Sequence, residues 1–431
     1  MIFPPGTYLI AEHQVAGGPH QNDVGPYVLD GLRSFVVSGY GARLSFAGGF
    51  HRSADIAVSA GQFSSYDRSI GLILAGCSEF TVEGLEIDGN ADTITRDGRV
   101  VESYGSAGLA TEACERYELR DLDIHHTTSD GLLIGSATAA YRRADRDGQI
   151  TGVRCWANAR NALSIIQATG LTFTRCAFTD AGLTGRAPGT VGSYHGHAPQ
   201  ASCDIEPDYD PATNPELVDR FTGDLVFDGC RFAGSVGPAF ASVYRTVAGR
   251  VLLRNCTFDG SRSPEPGQVI LTSPAVDVDG CRFVDAPIYG TYAGGEHRRW
   301  LSIRRSTMVT PRAAVVIAET NPQLGFAGAL EDNVIVRTAG PFDASQIPVM
   351  IRTGHTPFRF LRNRVIVDGS AADDRSSPLP ENTYVVALQN LVEATGNTYS
   401  TNLGPPRTLA VNYDGSSTVA GEEYVGQFRR A

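Results

Sequence analysis

Leu225-Val-Phe-Asp-Gly-Cys230-Arg-Phe232 is followed by Val251-Leu-Leu-Arg-Asn-Cys256-Thr-Phe258, and then by Val276-Asp-Val-Asp-Gly-Cys281-Arg-Phe283. An earlier copy reads Leu171-Thr-Phe-Thr-Arg-Cys176-Ala-Phe178. Each copy joins a short alternating strand, a turn, a residue that is often Cys or Asn, and a second short strand. Cys155, Cys176, Cys230, Cys256 and Cys281 are read as one position of this repeat. Ser306, Asn333, Asn363 and Asn397 continue it, and Leu85 and Leu122 precede it. From Cys230 the steps are 26, 25, 25, 27, 30 and 34 residues.

A coil of about two dozen residues with variable loops is the period of a solenoid. The expected fold is all-β: a single-stranded right-handed parallel β-helix. One domain is expected over residues 1–431, with coils to about residue 400 and a cap or tail over about 401–431. The 54-residue step from Cys176 to Cys230 implies one or two extra coils or a long insertion. A propeller needs a longer period, and a sandwich has no reason to return one residue type to one coil position. Stacked inward cysteines act as small buried hydrophobes, so a reduced ladder is expected rather than disulfides. No CxxC pair or His partner accompanies them, which argues against zinc at the ladder. Pro211 to Arg220 is the one helix-like run.

The chain has 431 residues and a formal charge of −11, which disfavours a nucleic-acid partner. No apolar run is long enough to span a membrane. All 36 basic residues are Arg, so no lysine base or Schiff base is available. No signal peptide opens the chain. An extracellular location is nonetheless expected, with any export signal and N-terminal cap removed or outside this sequence.

Phe3-Pro-Pro-Gly-Thr-Tyr-Leu9 and Phe35-Val-Val-Ser-Gly39-Tyr-Gly41-Ala42 resemble the first coils of the pectate-lyase-like β-helix superfamily, and the coil pattern is similar to it through about residue 400. The resemblance implies the fold and a carbohydrate context. It leaves lyases, hydrolases, uronan epimerases and tailspikes open. The polygalacturonase signatures are not reproduced: Gly196-His197 is a fragment of one, and another requires Lys. Asp204-Ile-Glu206-Pro207 resembles a motif of a largely uncharacterised branch of β-helix proteins.

Three coils align on what reads as their second strand: Asp130-Gly-Leu-Leu-Ile134, Asn161-Ala-Leu-Ser-Ile165 and Ala201-Ser-Cys-Asp-Ile205. Leu132, Leu163 and Cys203 then point inward, as do Ile134, Ile165 and Ile205. Asp204 and Glu206 point outward, with Cα atoms about 6.5–7 Å apart. Such a pair suits a proton donor and a water-activating base at a glycosidic bond. Competing readings are a weak Ca²⁺ site and a solvated acidic strand without function. No cofactor is otherwise expected.

Asp130 is a third candidate carboxylate, outward only if the turn ends there. His197 is a candidate acid or base. Tyr194, His195, Asp208 and Arg160 are candidate substrate-binding groups around the pair. Tyr244, Arg245, Tyr289 and Trp300 form a candidate sugar-binding surface in later coils. A glycoside hydrolase acting on a polysaccharide or oligosaccharide is the first expectation. A polysaccharide lyase or uronan epimerase is the second, and a non-catalytic glycan-binding or tailspike-like solenoid the third. A monomer is expected, with a trimer as the alternative.

Overall fold

The structure, a computed structural model, describes residues 1–10, 27–47, 56–59, 62–64, 70–93, 107–135, 143–182, 198–207, 222–242, 249–263, 267–273, 275–292, 299–319, 326–338, 347–352, 358–368, 383–389, 392–402, 409–413, 417–426 and 428–430. The run 211–220 lies outside them. Two compact units form: Met1–Gly249 with Arg262–Glu265, and Arg250–Ser261 with Pro266–Ala431. Among the described residues, no helix is long and apolar enough to cross a membrane.

The chain folds as a right-handed parallel β-helix. In the first unit each full coil carries three strands rather than two. Asp145–Thr151, Arg154–Trp156 and Leu163–Ile165 make one coil; Thr172–Thr174, Ala177–Thr179 and Cys203–Ile205 make the next. Every strand lies parallel to its counterpart one coil on, with Ile150 against Phe173, Cys155 against Phe178 and Leu163 against Cys203. The segments aligned above are therefore third strands. Alternation drives the fold. Residues of one parity stack inside, where Phe173 lies 4.5 Å from Phe227 and Phe178 lies 5.7 Å from Phe232 between ring centroids. These separations are close to the strand spacing, so each ring packs on its counterpart in the next coil.

The step from Cys176 to Cys230 is one coil with an insertion, because Ala177 pairs directly with Arg231 and Phe178 with Phe232. One assignment needs correction. Cys155 is not at the ladder position: it stacks between Ile124 and Phe178, and Val153 sits where Cys176 sits one coil later. Both Val153 and Cys155 point inward, two residues apart, so the cysteine cue selected the wrong one. The corner is a better marker. The residue just before the ladder position has positive φ at Gly84, Asp121, Gly152, Arg175 and Gly229. That left-handed corner, which glycine adopts without strain, bends the chain between the first and second strands. All eight cysteines are free and buried.

The second unit repeats the design. Val251–Arg254 pairs with Ala275–Asp279, Thr257–Asp259 with Arg282–Val284, and Val269–Leu271 with Ile288–Tyr292. Its ladder passes from Cys to Asn. Asn333 Nδ2 donates to Asn363 Oδ1 at 2.9 Å, and Asn363 Nδ2 donates to Asn397 Oδ1 at 3.1 Å. Each Nδ2 also donates to a carbonyl of the preceding coil: Ile303, Leu330 and Phe360. The ladder ends on Glu422, whose Oε1 accepts from Asn397 at 2.9 Å. A buried amide is tolerated here because its donors and acceptor are met by the coils above and below.

Candidate active site

The third strands of the first unit form one wall of the solenoid. Its inward row is apolar: Leu132, Leu163 and Cys203, then Ile134, Ile165 and Ile205, all without solvent exposure. The outward row runs Ile73, Ala110, Leu133, Ser164, Asp204 and Ala241. Asp204 thus breaks a row of apolar and small side chains. The row is outward by parity yet covered: Asp204 is only 5 % exposed.

The side chains around Asp204 come from neighbouring coils at the corner that precedes each third strand. Asp130 occupies the bend before Leu132–Ile134, ahead of the strand, and its Oδ1 accepts the backbone N–H of Asn161 at 3.1 Å. Asn161 repeats the device one coil on, its Oδ1 accepting the N–H of Ala201 at 2.9 Å. Asn161 Nδ2 then donates to Ser164 Oγ at 3.0 Å and to Asp204 Oδ2 at 3.4 Å. Asp130 and Asn161 therefore serve two ends at once: they cap the corner of the next coil and face the carboxylate pair.

Arg160 lies beside them, its side chain 13 % exposed. Its Nη1 meets Asp130 Oδ2 at 2.9 Å and its Nη2 meets Glu206 Oε2 at 3.5 Å. The Asp130 carboxylate, first among its neighbours, raises the guanidinium pKa above its usual value. One guanidinium thus faces the three carboxyls of Asp130, Asp204 and Glu206. Three carboxyls around one cation, two of them buried, cannot all ionise cheaply. The proton goes to Asp204, whose pKa is pushed up to about 7, by burial first and by the Glu206 carboxylate second. Asp130 adds to the rise, Arg160 opposes it, and a hydrogen bond to Glu206 helps to keep the proton. Glu206 follows the strand, anchored by its N–H on the Ile165 carbonyl at 3.0 Å, with its side chain 38 % exposed. The outer member of the pair is therefore Glu206, and the buried member beneath it, with the raised pKa, is Asp204.

The structure brings together Asp130, Arg160, Asp204 and Glu206. His197, His195, Tyr194, Asp208, Tyr244 and Arg245 lie outside the described residues. Tyr289 and Trp300 belong to the second unit and do not share a wall there. Tyr289 is on the third-strand sheet, between Ile270 and Val316. Trp300 is on the first-strand sheet, with Nε1 donating to Asp277 at 3.4 Å. The repeat pattern of their coils does not separate strand types, so the two aromatics fall on different sheets rather than on one surface. The members missed as site residues are Asn161 and Ser164. Their signal was present: Ser164 is the register partner of Asp204, and Asn161 that of Asp130.

The fold and this corner define a parallel β-helix with a carboxyl pair, Asp204 beneath Glu206, on one wall. No family model and no curated protein matches the chain. Several solved structures resemble it. The A-module of a mannuronan C-5 epimerase from Azotobacter vinelandii is 12 % identical, covering 98 % of this chain and 90 % of that one, with a TM-score of 0.48. A tailspike protein of Acinetobacter baumannii bacteriophage Fri1, a capsular polysaccharide depolymerase, is 12 % identical over 93 % of this chain and 57 % of that one, with a TM-score of 0.40. A surface adhesin of Streptococcus pneumoniae is 10 % identical over 99 % and 84 %, with a TM-score of 0.38. Likeness at this level bears on neither activity nor substrate.

Proposed function

We propose that this protein is a carbohydrate-active enzyme, a glycoside hydrolase in which the Asp204–Glu206 pair supplies the proton to the leaving oxygen. The observation that carries this reading is the geometry of the pair: Asp204, 5 % exposed, lies beneath the 38 % exposed Glu206 side chain, and burial with the Glu206 carboxylate pushes the Asp204 pKa up to about 7. A general acid works best when its pKa lies near the working pH, and burial with a like-charged neighbour achieves that for a carboxyl group. In this reading Glu206 touches the substrate. Asp204 stores the proton and passes it to Glu206, which delivers it to the leaving oxygen as the glycosidic C–O bond breaks; water then bonds to the sugar carbon and its proton returns to the pair. Arg160 fixes the Glu206 carboxylate, and Asn161 orients Asp204.

The charge balance favours a neutral glycan. With Asp204 protonated, Asp130 and Glu206 outweigh Arg160 by one negative charge, which repels a uronate carboxylate. A lyase or epimerase needs the opposite, a cationic group free to neutralise that carboxylate, and Arg160 is already engaged by Asp130 and Glu206. The test is a panel of neutral and acidic polysaccharides with product analysis, run beside Glu206→Gln. Hydrolysis predicts new reducing ends from a neutral glycan and their loss in the variant. Unsaturated, ultraviolet-absorbing products would establish a lyase instead. Binding without turnover in both proteins would establish a non-catalytic solenoid.

A further inference from the structure

A second cluster sits on another wall of the first unit. Asp88 ends the strand Ser78–Asp88, and His125 ends Asp123–His125 one coil later, directly in register. His126 follows in the left-handed conformation, with φ of 51°. Ala157 and Asp180 repeat that corner in the next coils, so the backbone belongs to the solenoid and only the imidazole is special to this coil. The corner turns His126 back onto His125, with Nδ1 to Nδ1 at 2.8 Å. Asp88 Oδ1 lies 3.4 Å from the same His125 Nδ1. One ring nitrogen, with one in-plane lone pair or proton, therefore faces two polar atoms.

The other nitrogen of His125 also has a carboxylate partner. Nε2 lies 3.2 Å from Glu86 Oε1, a carboxylate that can hold a proton on Nε2 and so free the Nδ1 lone pair for an ion placed between Asp88 Oδ1 and His126 Nδ1. A carboxylate behind an imidazole is the usual outer partner of a metal-bound histidine. Asp88 is held just as firmly. Its Oδ2 accepts from Ser45 Oγ at 3.3 Å and pairs with Arg43, and its Oδ1 accepts the Asn90 N–H at 2.9 Å. Trp156 stacks on His125 with ring centroids 4.7 Å apart, which fixes the ring plane.

We infer that Asp88, His125 and His126 form a binding site for a divalent transition ion of the zinc class, outside the carboxyl pair described above. Two imidazole nitrogens and one carboxylate oxygen, all within 4.8 Å of one another, are borderline ligands that suit zinc better than calcium or magnesium. Tetrahedral zinc with bonds of about 2.0–2.1 Å separates its ligand atoms by roughly 3.3 Å. The Asp88–His125 edge, at 3.4 Å, already has that length, the His125–His126 edge reaches it from 2.8 Å with a shift of about half an ångström, and the third edge lies within 4.8 Å. Three protein ligands leave a fourth position for water on the side of His126, which is only half-buried. The ion would clip two successive coils together. Arg43, on the far oxygen of Asp88, limits the charge the site can accept and favours a divalent ion.

The test uses the full chain without a histidine tag, with Trp300→Phe so that Trp156 is its only tryptophan, dialysed against a chelator. Titration with Co²⁺ should quench Trp156 emission with an end point near one equivalent, and Zn²⁺ should reverse the quenching by competition. His126→Ala should weaken Zn²⁺ binding at least 100-fold by calorimetry. Glu86→Gln, which leaves all three ligands in place, should weaken it about 10-fold. Absence of stoichiometric quenching in the otherwise unaltered chain would overturn the assignment even if a variant fails to fold. Unchanged Zn²⁺ affinity in a folded His126→Ala protein would overturn it as well, by placing the ion elsewhere.

Discussion

Replacing Asp204 by Asn keeps the shape of the side chain and removes its proton equilibrium. In the folded chain Asp204 holds its proton up to about pH 7. In the unfolded chain an aspartate releases it near pH 3.9. The folded state therefore binds more protons between those values, and stability falls as pH rises through that window. Below about pH 4 the group makes no difference, and above about pH 7 its full penalty applies. At about 1.36 kcal/mol per unit, a rise of roughly three units amounts to at most about 4 kcal/mol. The assay is urea unfolding from pH 4 to pH 8, followed by Trp156 emission in a Trp300→Phe background so that the first unit alone reports. Asp145 is also buried, with its pKa pushed up to about 6 mainly by burial, so it titrates in the same window in both proteins. The difference between the parent chain and its Asp204→Asn variant cancels Asp145 and reports Asp204 together with its coupling to Glu206. It should grow by about 1.4 kcal/mol per pH unit in favour of the variant between about pH 4.5 and 6.5. Parallel curves would mean that Asp204 ionises normally, and the shared-proton account would be wrong.

Other outcomes follow from the same contacts. Arg160→Met leaves Asp130 and Glu206 without their shared cation and should cost about 3 kcal/mol at pH 8, in the range for breaking a buried ion pair, and less at pH 5; urea midpoints at the two values check this. Asn363→Leu strips the acceptor from the N–H and Nδ2 of Asn333 and the donor from the Leu330 carbonyl. It should cost roughly 2–4 kcal/mol, read from a Trp156→Phe background in which Trp300 reports on the second unit. All eight cysteines are buried and free, so a thiol reagent should find none in the folded chain and eight after denaturation.

The sequence carried the stacking more faithfully than the chemistry. Third-strand register could be read from three short segments because inward Leu, Ile and Cys recur at period two, and the pairing of Leu163 with Cys203 follows that reading. The same cue failed at Cys155. Val and Cys are equivalent to the core, and only the left-handed corner at Gly152 marks the register. Parity placed Asp204 outward, but parity says nothing about cover. The burial that raises its pKa depends on what packs over the wall. The imidazole cluster was missed, although its signal was available. Leu85 and Leu122 were recognised as equivalent, and three residues beyond each lie Asp88 and His125.

Acid catalysis by the Asp204–Glu206 pair on the third-strand wall shows itself in the pH–rate profile of glycan cleavage, taken as kcat/KM on the neutral polysaccharide that gives most product. The account predicts activity that falls as pH rises through about 7, and a loss of 100-fold or more in Glu206→Gln with the fold intact. A rate that is flat across that range, or turnover preserved in Glu206→Gln, would contradict it.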